Sequence, residues 1–185
     1  ELHESATRGI DYQKKKYDEK LLNLINLYML KSNTKLHILL KRSKYSSRLS
    51  IETNFYKKIF KSNCVFHNST KWKNKYKILD SFENVIFRFS TLGYEAIARK
   101  KKVAIFTPKK FNRSKLYFEW PAPKKLKYKF SLARNLNYHE VERVLENVKN
   151  CSQIDWNKKH YKIIKDQSGY DKNNRTLRKI IFSLL

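Results

Sequence analysis

Apolar and polar residues alternate along the chain with two spacings, one typical of amphipathic helices and one typical of short buried strands. Between Asp11 and about Lys31, apolar residues recur three, four and seven positions apart, which predicts one long helix. The same spacing predicts five further helices. One begins at Ser50, three run from Trp72 to Leu79, from Tyr94 to Lys100 and from Tyr138 to Asn150, and the last covers about 174–185. Asn137 is the predicted N-cap of the helix that starts at Tyr138.

Four short apolar runs predict strands that are buried within a sheet. They are 35–40, 63–67, 84–89 and 102–106. A predicted turn at 90–93 and a helix join the last two runs, and strand–helix–strand with short links is the crossover of a parallel sheet. The alternation therefore predicts an α/β fold, with a Rossmann-like doubly wound parallel sheet and flanking helices. Residues 109–129 are interpreted as a loop, and 1–185 as a single domain because no repeat or linker divides them.

The composition adds a strong positive charge to this picture. Hydrophobic residues make up 41% of the 185 positions, which argues against disorder, and 42 Lys and Arg against 16 Asp and Glu give a net charge of +26. Such a chain favours anionic partners: phosphates, acidic lipid or nucleic acid. Because the lysines are scattered and no nucleic-acid motif is present, compositional bias explains them better than nucleic-acid recognition. Peripheral contact with an anionic membrane stays open.

Several classes of protein are excluded by what the sequence lacks. No apolar run reaches the roughly 20 residues that span a bilayer, and the first residues show no signal-peptide pattern, so we expect a cytoplasmic protein, at most peripheral on the inner face of the membrane. The three glycines form neither a Walker loop nor a G-x-G-x-x-G fingerprint. Two distant cysteines, and histidines without a partner at ligand spacing, indicate no metal site. We therefore expect no cofactor and no metal.

The predicted turn after the third strand is the best candidate for a binding site. In open α/β sheets, ligands bind beyond the carboxyl ends of the strands, where helix N-termini present free N–H groups. Ser90 and Thr91 offer hydroxyl groups there, and Gly93 would allow close approach of a phosphate or sugar. Glu95 could accept hydrogen bonds from a sugar diol, so the segment could hold both halves of a nucleotide sugar. The same residues also fit an ordinary helix cap without a ligand.

Other candidates lie at strand ends, and each has a simpler alternative. Lys41 and Arg42 close the first strand, where they could reach a phosphate or stand as a solvated loop pair. His67 ends the second strand and could contact a base, act in acid–base chemistry, or be a loop residue only. Arg88 could pair with a diphosphate or be a tolerated strand cation. Glu52 is interpreted only as a carboxylate at a helix start.

The run Ser90–Arg99, STLGYEAIAR, followed by KKVA at 101–104, resembles a motif of bacterial surface-carbohydrate biosynthesis proteins that are similar to GT-B glycosyltransferases. Weaker likenesses at 52–56, 120–121 and 170–174 extend the resemblance from about residue 21 onwards. Arg88 and Phe89 depart from the pattern, where a small or acidic residue is expected. GT-B enzymes have two Rossmann-like domains with the active site between them. The resemblance implies that this chain is the C-terminal domain, with the N-terminal domain missing.

The resemblance also implies a donor-binding role for Ser90, Thr91, Gly93 and Glu95. The reaction would transfer a sugar from a nucleotide-sugar donor to a glycan or lipid-linked acceptor, in capsule or lipopolysaccharide assembly. The general base would belong to the missing domain, so the catalytic residues stay open and the chain alone is expected to bind without turnover. Three alternatives remain: a sugar-nucleotide epimerase of similar architecture, a basic module that binds nucleic acid or another polyanion, and a degenerate, non-catalytic fragment.

Overall fold

The computed structural model describes residues 9–42, 45–68, 72–88, 90–106 and 130–161. Its helices and strands, in chain order, are α1 (Gly9–Lys31), β1 (Leu36–Leu39), α2 (Leu49–Phe60), β2 (Cys64–His67), α3 (Trp72–Asp80), β3 (Asn84–Phe87), α4 (Thr91–Ala98), β4 (Lys102–Phe106), β5 (Leu132–Ala133), α5 (Tyr138–Asn150) and α6 (Gln153–Asp155), and a π-helical turn follows at Trp156–Tyr161. The predicted loop at 109–129 and the predicted helix at 174–185 lie outside the described residues.

The described strands are all parallel to their neighbours and form two hydrogen-bonded sheets. β1 pairs with β2, and β4 lies between β3 and β5. The predicted strands and their crossover are confirmed. β5 was not predicted, because its two residues are too few to show an alternating pattern. Its position is set by the sheet instead: the amide of Ile105 donates to the carbonyl of Ser131 at 2.7 Å.

Helices cover both faces of the three-stranded sheet. Ala104 and Phe106 of β4 belong to a core that α1, α2 and α5 share with β1 and β5. Val103, one position along, belongs to a second core with α4 and the fully buried Trp156, and Ile105 packs against it. Because neighbouring strand residues point to opposite faces, this division shows a layer of helices on each side of the strands. The predicted α/β class is confirmed, and the arrangement is compatible with a Rossmann-like fold.

α1 and α5 supply most of the helical part of the larger core. The buried positions of α1 are Leu21, Ile25, Tyr28 and Met29, and those of α5 are Val141, Val144, Leu145 and Val148. Both sets follow the three- and four-residue spacing that predicted the helices. α1 ends where Asn33 adopts a left-handed conformation (φ 48°), which asparagine tolerates better than most residues.

The segment after β3 differs from its prediction. The prediction of a turn at 90–93 is wrong, because Ser90 is the N-cap of α4 and Thr91 is already its first helical residue. The helix ends at Ala98 and is followed by Lys100 in a left-handed conformation (φ 63°). Local sequence suggested a turn because Ser, Thr and Gly favour turns. In the structure, Gly93 lies within α4 and packs against Phe87 of the preceding strand, as described below.

Candidate functional site

The N-terminus of α4 stands at the carboxyl end of β3, where ligands bind in parallel sheets. Ser90 is extended (φ −116°, ψ 128°), and its carbonyl accepts the amides of Gly93 and Tyr94 at 2.9 and 3.3 Å. The Ser90 side chain makes no capping hydrogen bond. Thr91 is exposed on the first turn. The Ser90 hydroxyl predicted for a ligand is therefore not used to cap its own helix.

The N-terminus of α5 shows the opposite arrangement. Asn137 is its N-cap, as predicted, and its side-chain oxygen accepts the amide of Glu140 at 2.8 Å. Such a cap satisfies one of the amides that a helix otherwise leaves free. Of these two helix starts after parallel strands, α5 is closed by its own side chain and α4 is not.

Gly93 is explained by packing between α4 and β3. A Cβ atom placed on Gly93 would lie 2.2 Å from Cγ and 2.3 Å from Cδ2 of Phe87. The ring therefore occupies the space next to Gly93 in which a side chain would otherwise lie. A glycine at this place permits close helix–strand packing, which is one of the roles glycine has in Rossmann-like folds.

Glu95 faces α3. The Tyr76 hydroxyl hydrogen bonds to Glu95, and this bond is the main reason why the pKa of Tyr76 is raised. The other carboxylate oxygen, Oε2, is buried without a hydrogen-bond partner among the described residues. Directly after α4, Nε of Arg99 donates to Oδ1 of Asp80 at 2.6 Å, and the Arg99 guanidinium lies 5.2 Å from the centre of the Tyr76 ring. The α3–α4 contact is thus polar and leaves one acceptor unsatisfied.

Arg88 is engaged within the fold. It forms an ion pair with Asp18 of α1, and the two side chains are only 13% and 7% exposed. Its guanidinium also lies 4.8 Å from the centre of the Tyr17 ring. Burial raises the pKa of Tyr17 to about 12, against the opposing effect of the Arg88 charge. Arg88 therefore ties α1 to the end of β3, a role the sequence analysis did not foresee.

Lys41 and Arg42 follow β1, and their backbone amides bind a carboxylate of the chain itself. They donate to Oε1 and Oε2 of Glu52 at 2.9 and 3.0 Å. The interpretation of Glu52 as a helix-start carboxylate only was therefore too narrow. Nζ of Lys75 donates to the Lys41 carbonyl at 3.1 Å, so the same loop is also held from α3.

His67, at the end of β2, meets a histidine that the sequence analysis did not single out. Nδ1 of His37 lies 2.8 Å from Nε2 of His67, although the two residues are 30 positions apart. Burial, and then the nearby His37, lower the pKa of His67. No local spacing could have indicated this pair, because the parallel pairing of β1 and β2 creates it.

The candidate residues separate into two groups. Lys41, Arg42 and His67 belong to the two-stranded sheet, while Arg88, Ser90, Thr91, Gly93 and Glu95 belong to the β3–α4 segment of the three-stranded sheet. Arg134 and Asn135 follow β5 at the same edge as α4, since β3, β4 and β5 are parallel; they were missed with that strand. Within the described ranges, no three His, Cys, Asp or Glu side chains cluster as a metal site would require.

The chain is an α/β domain. Its strands are parallel, helices cover both faces of the sheet, and an uncapped helix begins at the carboxyl edge. The chain belongs to a family whose description is "putative O-antigen biosynthesis protein", and the family model matches residues 9–183. This supports the expected place in surface-carbohydrate biosynthesis. Neither a search of curated proteins nor a search of solved structures found a match. Over the described part of the chain, every helix is too short or too polar to cross a membrane.

Proposed function

We propose that this chain binds a nucleotide sugar at the N-terminus of α4 and supplies the donor-binding part of a glycosyltransferase in O-antigen assembly. The observation that carries the proposal is the open start of α4: it follows a parallel strand directly, and Ser90 makes no capping hydrogen bond. The family of the chain supports the biosynthetic setting.

The chemistry of this helix start suits a diphosphate. Aligned peptide dipoles place roughly half a positive charge at a helix N-terminus, and the first amides point outwards as hydrogen-bond donors. The hydroxyl groups of Ser90 and Thr91 add donors beside them. In glycosyl transfer the nucleotide diphosphate leaves with increased negative charge, which the same donors would stabilise. The net charge of +26 would raise the local concentration of an anionic donor.

Glu95 is the proposed partner of the sugar part of the donor. Its Oε2 is buried without a hydrogen-bond partner among the described residues, and such an oxygen is costly to leave unsatisfied. A ligand hydroxyl that donated to Oε2 would remove this cost. This contact would select a sugar nucleotide over a bare diphosphate.

The acceptor and the general base would come from outside this chain. We propose a glycan or lipid-linked acceptor, an N-terminal partner domain that completes the active site, and a cytoplasmic location with peripheral contact to an anionic membrane. Lys41, Arg42 and His67 remain as secondary candidates for contacts to the donor, while Arg88 would act by holding α1 against the end of β3. The chain alone is expected to bind the donor without turnover.

The test is thermal stabilisation by UDP, GDP, CDP, CMP and ADP at low and high salt, in the wild-type chain and in Ser90→Asp. The aspartate should cap α4, which stabilises the free protein by about 1 kcal/mol, and its charge should repel a phosphate. We expect one nucleotide to stabilise the wild type even at high salt, and no nucleotide to stabilise Ser90→Asp. The matched control is Asn137→Asp, which keeps the cap of α5 and should respond as the wild type does.

Glu95→Gln separates the two halves of the site. This variant should respond to inorganic pyrophosphate as the wild type does, and more weakly to the preferred nucleotide or its sugar. Equal shifts with every polyanion that disappear in salt, and that Ser90→Asp leaves unchanged, would overturn the proposal and favour a non-specific basic module.

A further inference from the structure

The outer face of the two-stranded sheet carries a pair of histidines whose nitrogens converge on one point. Val65 lies opposite His37 in the parallel register, and His67 follows two residues later on the same face. Their neighbours Ile38, Cys64 and Phe66 face the other way, into the large core. Nδ1 of His37 and Nε2 of His67 are 2.8 Å apart, within hydrogen-bond distance.

Neighbouring groups hold the two rings in place. Phe82, just before β3, lies against both, with ring centres 4.7 Å from His37 and 5.8 Å from His67. Backbone hydrogen bonds frame the pair: the amide of Leu36 donates to the Asn63 carbonyl at 3.3 Å, and the amide of Leu40 donates to the His67 carbonyl at 2.9 Å. The pair is therefore built into the sheet, while His37 itself is exposed to solvent.

We propose that His37 and His67 form a two-histidine binding site for a divalent transition-metal ion of the Zn²⁺ class, with water as the remaining ligands. Neutral imidazole nitrogens favour zinc, copper and nickel over magnesium and calcium. In the free protein, one proton lies between the facing nitrogens. One of the two rings carries this proton on its facing nitrogen, and when the metal binds, the proton moves to the other nitrogen of that ring. Nδ1 of His37 and Nε2 of His67 then each present a lone pair to the ion, and both rings stay neutral.

The required movement is small. Zinc–nitrogen bonds are about 2.0–2.1 Å long, so two ligand nitrogens in a tetrahedral site stand about 3.4 Å apart. The rings must therefore separate by about 0.6 Å, which side-chain rotation can supply. The site lies on the other sheet from the start of α4, and its only residue that is also a secondary candidate for contacts to the donor is His67.

The experiment is a titration of the untagged, full chain with ZnCl₂. Binding is measured by calorimetry and by the shifts of the imidazole signals in ¹H–¹⁵N correlation spectra. We expect the signals of His37 and His67 to shift together with zinc and to stay unchanged with MgCl₂. His37→Asn and His67→Asn should each weaken zinc binding by about tenfold or more. His139→Asn, which removes an exposed histidine from α5, should bind as the wild type does.

Thermal melting without metal checks that each variant is folded. Zinc that shifts only the other histidines overturns the proposal, and so does zinc binding that is equally strong in His37→Asn, His67→Asn and the wild type. A wild-type chain that binds no zinc at a several-fold excess of metal overturns it as well.

Discussion

Gly93 shows how a single residue decides between a ligand contact and a packing contact. A glycine close to Ser90 and Thr91 at a strand end suggested room for a phosphate. In the structure, the ring of Phe87 from the preceding strand fills the space where a side chain of residue 93 would lie. The glycine lies in a helix that any residue could form, since its φ is not positive. A glycine is therefore required at position 93 for a steric reason, which is the close packing of α4 on β3.

Gly93→Ala should destabilise the protein. In an exposed helix interior this change is worth about 1 kcal/mol of added stability, but a Cβ 2.2 Å from the Phe87 ring costs about 1–3 kcal/mol through overpacking. Urea unfolding should therefore show a net loss. In a Phe87→Leu background, the same change should cost less, because the shorter side chain leaves room. A wild-type midpoint for Gly93→Ala alone would show that the ring moves aside freely.

At the level of the helices, the contact between α1 and α5 combines apolar packing with a partly buried hydrogen bond. The hydroxyl of Tyr28 donates to Oε1 of Glu146 at 2.6 Å. This hydrogen bond is the main cause of the lowered pKa of Glu146, and burial is the first cause of the raised pKa of Tyr28. A carboxylate whose pKa is lower in the folded state stabilises the fold while it is charged.

Tyr28→Phe should reduce stability in a pH-dependent manner. The contribution of Glu146 is fully present above its ordinary pKa of 4.5 and is lost as the pH falls through its lower folded value. The difference in unfolding free energy between wild type and Tyr28→Phe should therefore be largest above about pH 5 and shrink towards about pH 3. Unfolding curves at several pH values measure it. In a Glu146→Gln background the pH dependence of this difference should vanish; if it persists, another group is responsible.

For the whole molecule, the charge of +26 opposes folding because like charges come closer together in the compact state. Individual ion pairs, such as Arg88–Asp18 and Arg99–Asp80, act in the other direction. Salt weakens both effects. The sign of the salt dependence tells which one is larger.

The melting temperature should rise when NaCl increases from about 0.05 to 0.3 M, because 42 cations against 16 anions leave repulsion as the larger effect. In a chain of this size each kcal/mol corresponds to about 2–4 °C. Differential scanning calorimetry measures the shift. A melting temperature that falls over this range would mean that the ion pairs outweigh the net charge.

Much of the fold could be predicted because its determinants are local. The apolar spacing of α1 and α5, the cap at Asn137 and the short apolar runs of β1 to β4 each lie within a few residues of the element they specify. Each of these predictions is confirmed. β5 could not be predicted, since its two residues are held as a strand by β4 and not by their own pattern.

The candidate site divides in the same way. The position of Ser90 to Glu95 at the end of a parallel strand could be predicted from the sequence, because it follows from the order of the elements. The contacts of the candidate residues become visible in the folded chain: Phe87 lies against Gly93, Asp18 against Arg88, Glu52 against the amides of 41 and 42, and His37 against His67. The physical reason is distance along the chain. Most of these partners are brought together by helix packing or strand register, which local periodicity does not encode.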